Sequence, residues 1–172
     1  STFSDEPGTI VKEVAPNMEH AIITGIAHDT SEMKVTIRGL ADEAGMAARV
    51  FALLASNRVS VDMIIQNATS GGNANISFTF PGSQRDLALA AVDEIAKELN
   101  ASEVFVDENI AKVSLVGTGM KSSPGVAARA FKALADNKVN ILMISTSPIR
   151  ISVVVDGDQV ETCLLYTSPS PR

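Results

Sequence analysis

The chain repeats itself, and the repeat limits what it can fold into. Gly45–Ile64 reads GMAARVFALLASNRVSVDMI and Gly125–Ile144 reads GVAARAFKALADNKVNILMI. Eleven of these twenty positions are identical at a constant offset of 80, among them Gly45, Arg49, Phe51, Leu54, Asn57, Val59 and Met63. A short β-like run precedes each copy, Lys34–Gly39 and Lys112–Gly117. The repeated unit is therefore strand, Gly-bearing loop, helix, strand. Two such units predict a pair of small similar domains.

Periodicity fills in the first unit. Val35 and Ile37 alternate with Thr36 and Arg38, the pattern of a half-buried strand. Ala47, Val50, Phe51 and Leu54 follow the i, i+3, i+4, i+7 spacing of an amphipathic helix. Val59–Gln66 returns to strand, and Ser70–Asn73 is a turn cluster. Ile76, Phe78 and Phe80 form the next alternating strand. A second helix is expected over Gln84–Leu99 with Ser83 as its N-cap, then a strand over Val104–Val106. The order β-α-β-β-α-β is that of a ferredoxin-like unit. The second unit repeats the path with a strand at Lys112–Gly117, a helix over Pro124–Asp136 and strands at Asn140–Ser145 and Arg150–Val155. It then stops one strand short. Ala21–Ala27, apolar enough for a strand, has no unit of its own and is expected to cross over and complete the second sheet, covering an open edge.

The resulting fold class is α+β, two ferredoxin-like units with the second completed by the N-terminal strand. The expected boundaries are 1–18 as linker, 33–109 as the first domain, and 19–32 plus 110–161 as the second. The tail 162–172, TCLLYTSPSPR, is Ser/Pro-rich and similar to translated sequencing-adapter read-through. It is read as a non-native tail, with a genuine tail as the alternative, and is assigned no function in either case.

Composition removes several function classes. Hydrophobic residues are 45% of 172, enough for cores. No apolar run reaches the ~18 residues of a membrane span, and no basic-then-apolar leader opens the chain, so a cytoplasmic location without membrane contact is expected. The single cysteine, Cys163, excludes an internal disulfide. A net charge of −6 without a basic block, and 4% aromatics without tryptophan, argue against nucleic-acid binding.

Few residues carry chemistry. In the loop Leu40–Gly45, Gly45 opens a helix, where free N–H groups and the helix dipole favour a carboxylate. Asp42 beside it can hold an ammonium, so the pair suits a free amino acid. The plainer alternative is that Asp42 caps the helix and Gly45 makes a tight turn. Gln66 and Asn67, at the end of the following strand, either read such a ligand or simply solvate a strand end. The matching loop of the second unit is longer by two, lacks the acid and carries Lys121, so the units cannot bind one ligand alike. His20 and His28 have no nucleophile or carboxylate arrangement around them. Gly117-Thr118-Gly119 is only a fragment of a nucleotide motif. No catalytic residue and no metal site emerges.

At these residues the chain resembles ACT domains, the amino-acid-sensing modules, and in particular the regulatory region of aspartokinases. The stretches that carry the resemblance are MEHAIITGIAHD (Met18–Asp29), KVSLVGTGMKSSPGVAARAFKAL (Lys112–Leu134) and NILMISTSPIRISVVVD (Asn140–Asp156). The resemblance covers roughly Ser1–Glu161, and Ser1–Val11 is similar to the end of a kinase domain and the linker leaving it. It implies an effector site for threonine, lysine or both at Asp42, Ala44, Gly45, Met46 and Ala47, with Gln66 and Asn67 on the facing strand. It also implies that a second chain contributes Asn140, Ile141 and Met143, together with Met120 and Ser145. Two departures stand out: Ala44 where the family's loop usually has proline, and Pro148 where an acid often follows Ser-Thr-Ser.

The resemblance implies a regulatory part of aspartokinase without catalysis or cofactor of its own, ATP being used only by a kinase domain absent from this sequence. The chain is then a fragment or an independently translated subunit. Its implied partners are a second copy or an aspartokinase catalytic subunit. The competing readings are an enzyme fragment with residual kinase activity, against which the missing phosphate loop argues, and a freestanding ACT module that regulates another enzyme.

Overall fold

The computed structural model describes residues 23–118 and 125–167. In chain order these form β1 (Gly25–Asp29), β2 (Glu32–Ala41), α1 (Met46–Ser56), β3 (Ile64–Thr69), β4 (Asn73–Pro81), α2 (Arg85–Glu98), β5 (Glu103–Asp107), β6 (Ile110–Val116), α3 (Val126–Asp136), β7 (Ile141–Ser147), β8 (Arg150–Asp156) and α4 (Val160–Thr167). The helices α1 and α3 lie 80 residues apart, as the repeat requires.

Alternation in the strands builds the two cores. In β2, Val35 and Ile37 point to one face and are fully buried, as are Ile76, Phe78 and Phe80 of β4. Met46, Val50 and Leu54 of α1 and Ala88, Ala91, Val92 and Ile95 of α2 cover that face. Phe78 lies edge-on to Phe51, 6.0 Å between ring centroids. Burying one such side chain contributes about 2–3 kcal/mol. The second unit packs Val113, Val153 and Val155 under Leu134 and Cys163, and Leu115 and Ile151 under Val126 and Ala130.

Both sheets are four-stranded and antiparallel, in the orders β3-β4-β2-β5 and β1-β6-β8-β7. In the second, β1 pairs with β6 (Gly25 opposite Val116, Asp29 opposite Lys112), the place that β5 takes beside β2 in the first. The N-terminal strand thus completes the second unit, as the strand count predicted. It lies at Gly25–Asp29 rather than Ala21–Ala27; residues 21 and 22 fall outside the described residues. After β1 the chain turns into the first unit. The Asp29 carboxylate accepts from both the backbone N–H (2.8 Å) and hydroxyl (2.6 Å) of Ser31. These bonds hold its carboxyl below the usual range.

Local chemistry shifts some expected boundaries. Strand β3 begins at Ile64, not Val59; ahead of it the pairing with β4 is irregular, with the Thr79 hydroxyl accepting from Met63 N–H at 3.2 Å and the Thr79 carbonyl from Asp62 N–H at 3.0 Å. Ser83 is not an N-cap. Gly82–Gln84 form a 3-10 turn ahead of α2, which starts without a side-chain cap. The turn's Gln84 instead accepts from Ser60 N–H at 2.8 Å, and Gln159 does the same for Asn140 N–H at 3.2 Å in the second unit. Pro124, expected at the start of the third helix, lies outside the described residues. Helix α4 runs past Glu161 to Thr167, and Cys163 is buried in the second core. The tail boundary drawn at Thr162 therefore falls inside a helix. Among the described residues no helix is long and apolar enough to cross a membrane.

Candidate functional site

The Asp42 loop is shaped by backbone. Strand β2 bulges between Ile37 and Leu40, where Gly39 has φ +72° and a Cβ would sit 1.9 Å from Ser102 Oγ. The loop is then pinned by Asp42 N–H donating to Gly72 O at 2.9 Å and by a turn from Met46 N–H to Glu43 O at 3.2 Å. Gly45 is the residue before α1, at φ 93° and without a side-chain cap. Gly125 repeats this at φ 90° before α3. Asp42 does not cap the helix: the cap position is Gly45, and no hydrogen bond or ion pair among the described residues engages the Asp42 carboxylate. Asp42, Ala44 and Gly45 are exposed, Met46 is buried and Ala47 half-buried. The helix start thus leaves early N–H groups open to an anion, with an unengaged carboxylate three residues before it.

The strand facing the loop divides its two amides. Successive residues of a strand point to opposite faces, so Gln66, opposite Ile76, lies on the helix side with the Asp42 loop, and Asn67, opposite Asn75, on the other side. Asn67, Ile65 and Ser77 line a gap of about 290 Å3 with Ile141, Leu142, Met143 and Ile144 of β7. Within one chain the structure therefore brings Asn67 together with Ile141 and Met143, and leaves the Asp42 loop open. Met143 is buried there, while Asn140 and Ser145 are exposed. Met120 lies outside the described residues.

The gap belongs to a contact between the units' helix-free faces. Met63 and Ile65 of the first pack on Ile110, Met143 and Val154 of the second. A second gap, about 430 Å3, is lined by Asp62, Met63, Ile64, Lys112, Ser145–Ser147, Ile149, Arg150 and Ser152. The Lys112 ammonium donates to both Glu32 and Asp62 of the first unit. Burial pulls its pKa down, but the bonds to Asp62 and Glu32 outweigh that and hold it above the ordinary lysine value. Ile65, Ser77, Leu142, Ile144 and Lys112 were not singled out from the sequence. One signal was there: Val153–Val155, three apolar residues in succession where alternation is expected, marks a strand covered on both faces. No group of three or more His, Cys, Asp or Glu that could hold a metal ion occurs among the described residues.

Comparison with known proteins agrees with this architecture. A family model described as ACT domain matches residues 34–95 and 113–165. The aspartokinase of Mycolicibacterium smegmatis is 45% identical over 166 residues, which are 94% of this chain and 39% of that protein. The chain thus spans well under half the length of this relative. The ligand-free regulatory subunit of aspartate kinase from Thermus thermophilus is similar with a TM-score of 0.79 and 36% identity, over 84% of this chain and 95% of that one. A structure of aspartokinase alpha and beta subunits gives 0.78 and 38%, again over 84% and 95%. Escherichia coli aspartokinase III in complex with lysine and aspartate, in its T-state, gives 0.65 and 27%, over 83% and 31%. Two βαββαβ units, a crossed-over first strand and these likenesses together place the chain in the ACT domain family, as a pair of ACT domains of the aspartokinase regulatory kind.

Proposed function

We propose that this chain is the allosteric regulatory part of an aspartokinase, binding threonine, lysine or both for feedback inhibition of aspartate phosphorylation in lysine, threonine and methionine biosynthesis. The observation that carries the reading is the Asp42 loop. An exposed carboxylate without a partner among the described residues stands beside a glycine-opened helix start that has no side-chain cap. One charge of each sign is what the ammonium and carboxylate of a free amino acid require. The lysine complex named for the Escherichia coli neighbour supports an amino-acid effector.

The loop is open in a single copy, so the site is closed by another. The exposed Asn140 and Ser145 and the half-buried Ile141 of a second copy would cover the loop and Gln66, in a two-fold pair where the first unit of each chain meets the second unit of the other. Exposed Ile64 on the open edge of β3, and Leu142 and Ile144 on that of β7, favour such pairing. The partner is a second copy or, as the neighbour named for alpha and beta subunits supports, an aspartokinase catalytic subunit as well. The effector acts by its differential affinity: it binds the closed arrangement better and so draws the associated kinase towards its inhibited state. Calorimetric titration of the chain with threonine and lysine, separately and mixed, tests this. Saturable binding of at least one is expected, and heat of dilution alone with both would overturn the proposal.

A further inference from the structure

The two units obey one repeat, and they part company at one lysine. Lys34 of β2 and Lys112 of β6 occupy equivalent places, each central in its sheet and each opposite an aspartate on the outer strand: Asp107 for Lys34, Asp29 for Lys112. Lys34 pairs with its aspartate inside its own unit. Asp29 is instead taken by Ser31, and the Lys112 ammonium leaves its unit to bind Glu32 and Asp62 of the other.

The cluster is costly for what it stabilises. The Glu32 side chain is only 8% exposed, and its Oε2 is buried without a hydrogen-bond partner. A buried ion pair with one unsatisfied oxygen gains little net stability over apolar packing, and the advantage left to it is specifying one arrangement. Beside it lies the apolar contact of Met63 and Ile65 with Ile110, Met143 and Val154, which as a hydrophobic contact is non-directional, and the units are joined by two short connections, Thr30–Ser31 and Glu108–Asn109.

We infer that Lys112 is a positioning residue that sets the angle between the two units, and with it the ability of two copies to close the effector sites. The second half rests on the proposed function above. In a two-fold pair both contacts must form at once, so each chain must present the Asp42 loop and β7 at one fixed angle. A chain that loses the angle can close one site only by straining the other.

The inference is tested by spin labels at positions 52 and 132, exposed sites on α1 and α3 introduced as Ala52→Cys and Lys132→Cys, with Cys163 buried. The labelled chain is diluted into unlabelled chain so that distances report single molecules. Lys112→Met should shift or broaden the distance distribution and weaken threonine or lysine binding about tenfold, within the usual range of coupling between sites. Lys112→Arg should restore both. Should Lys112→Met fail to fold, Asp62→Asn, at the exposed partner, should give the same shift in smaller measure. An unchanged distribution overturns the inference, and so does weakened binding without a change of distance. Changed distances in a chain whose wild type binds neither amino acid uphold the positioning role of Lys112 and overturn the effector reading instead.

Discussion

Asp42→Ala separates a binding role from a structural one, because the structure assigns the two roles to different atoms. The Asp42 backbone N–H, which donates to Gly72 O at 2.9 Å, survives the substitution. The carboxylate, which the substitution removes, engages nothing among the described residues. The cap position of α1 is Gly45, so the ~1 kcal/mol cost of a lost side-chain cap does not apply. The effect on unfolding should stay within about 0.5 kcal/mol, as for surface changes away from special features. Binding is another matter. Truncating one partner of a buried charged contact costs about 2–5 kcal/mol, and a loop exposed in a single copy belongs at the lower end. About 2 kcal/mol is close to 30-fold in Kd. Calorimetry on Asp42→Ala beside wild type, with urea unfolding on the same samples, gives both numbers. An unchanged Kd for threonine and lysine refutes the ammonium contact. A loss of more than ~1 kcal/mol in stability shows that the carboxylate has a structural partner after all.

Three further outcomes are expected. Gly39→Ala, forced to φ +72° with its Cβ 1.9 Å from Ser102 Oγ, should lose about 2 kcal/mol or more in urea unfolding, whereas Gly45→Ala, whose Cβ meets nothing within 4 Å, should lose only the ~1–2 kcal/mol of the left-handed backbone. The raised pKa of Lys112 means that its stabilising contribution is complete below the unfolded lysine value of about 10.4 and is lost as pH rises through the higher folded value; the stability difference between wild type and Lys112→Met should be flat from neutral pH to about 9 and shrink above it. Truncation after Glu161 removes the buried Cys163 and the partly buried Leu164 from the second core, and should lower stability by at least about 2 kcal/mol; an unchanged thermal unfolding curve would show that this part of α4 is dispensable.

What was legible in the sequence was what a local pattern or a count can carry. The offset of 80 located both units, alternation located the strands, and the shortage of one strand in the second unit pointed to β1. Ser83 misled because a serine before a helix looks like a cap, and nothing local reveals that Gln84 would tie the turn to Ser60. The Lys112 cluster left no trace, since its partners lie 80 and 50 residues away and Lys112 matches Lys34 in the repeat. The continuation of helix α4 past Glu161 was hidden by the Ser/Pro-rich residues after it, although Cys163 and Leu164 continue its apolar face. The candidate loop was legible in its residue types. That Asp42 is unengaged, and that Gln66 and Asn67 face opposite sides of the sheet, required the backbone.

The central claim is regulation, and it is tested most directly by aspartate phosphorylation in an aspartokinase catalytic subunit reconstituted with this chain, measured with and without threonine and lysine. The account predicts that at least one amino acid inhibits only when the chain is present, that Asp42→Ala relieves the inhibition, and that the chain alone turns over no ATP. Inhibition that is equal with and without the chain, or aspartate-dependent turnover by the chain itself, would contradict it.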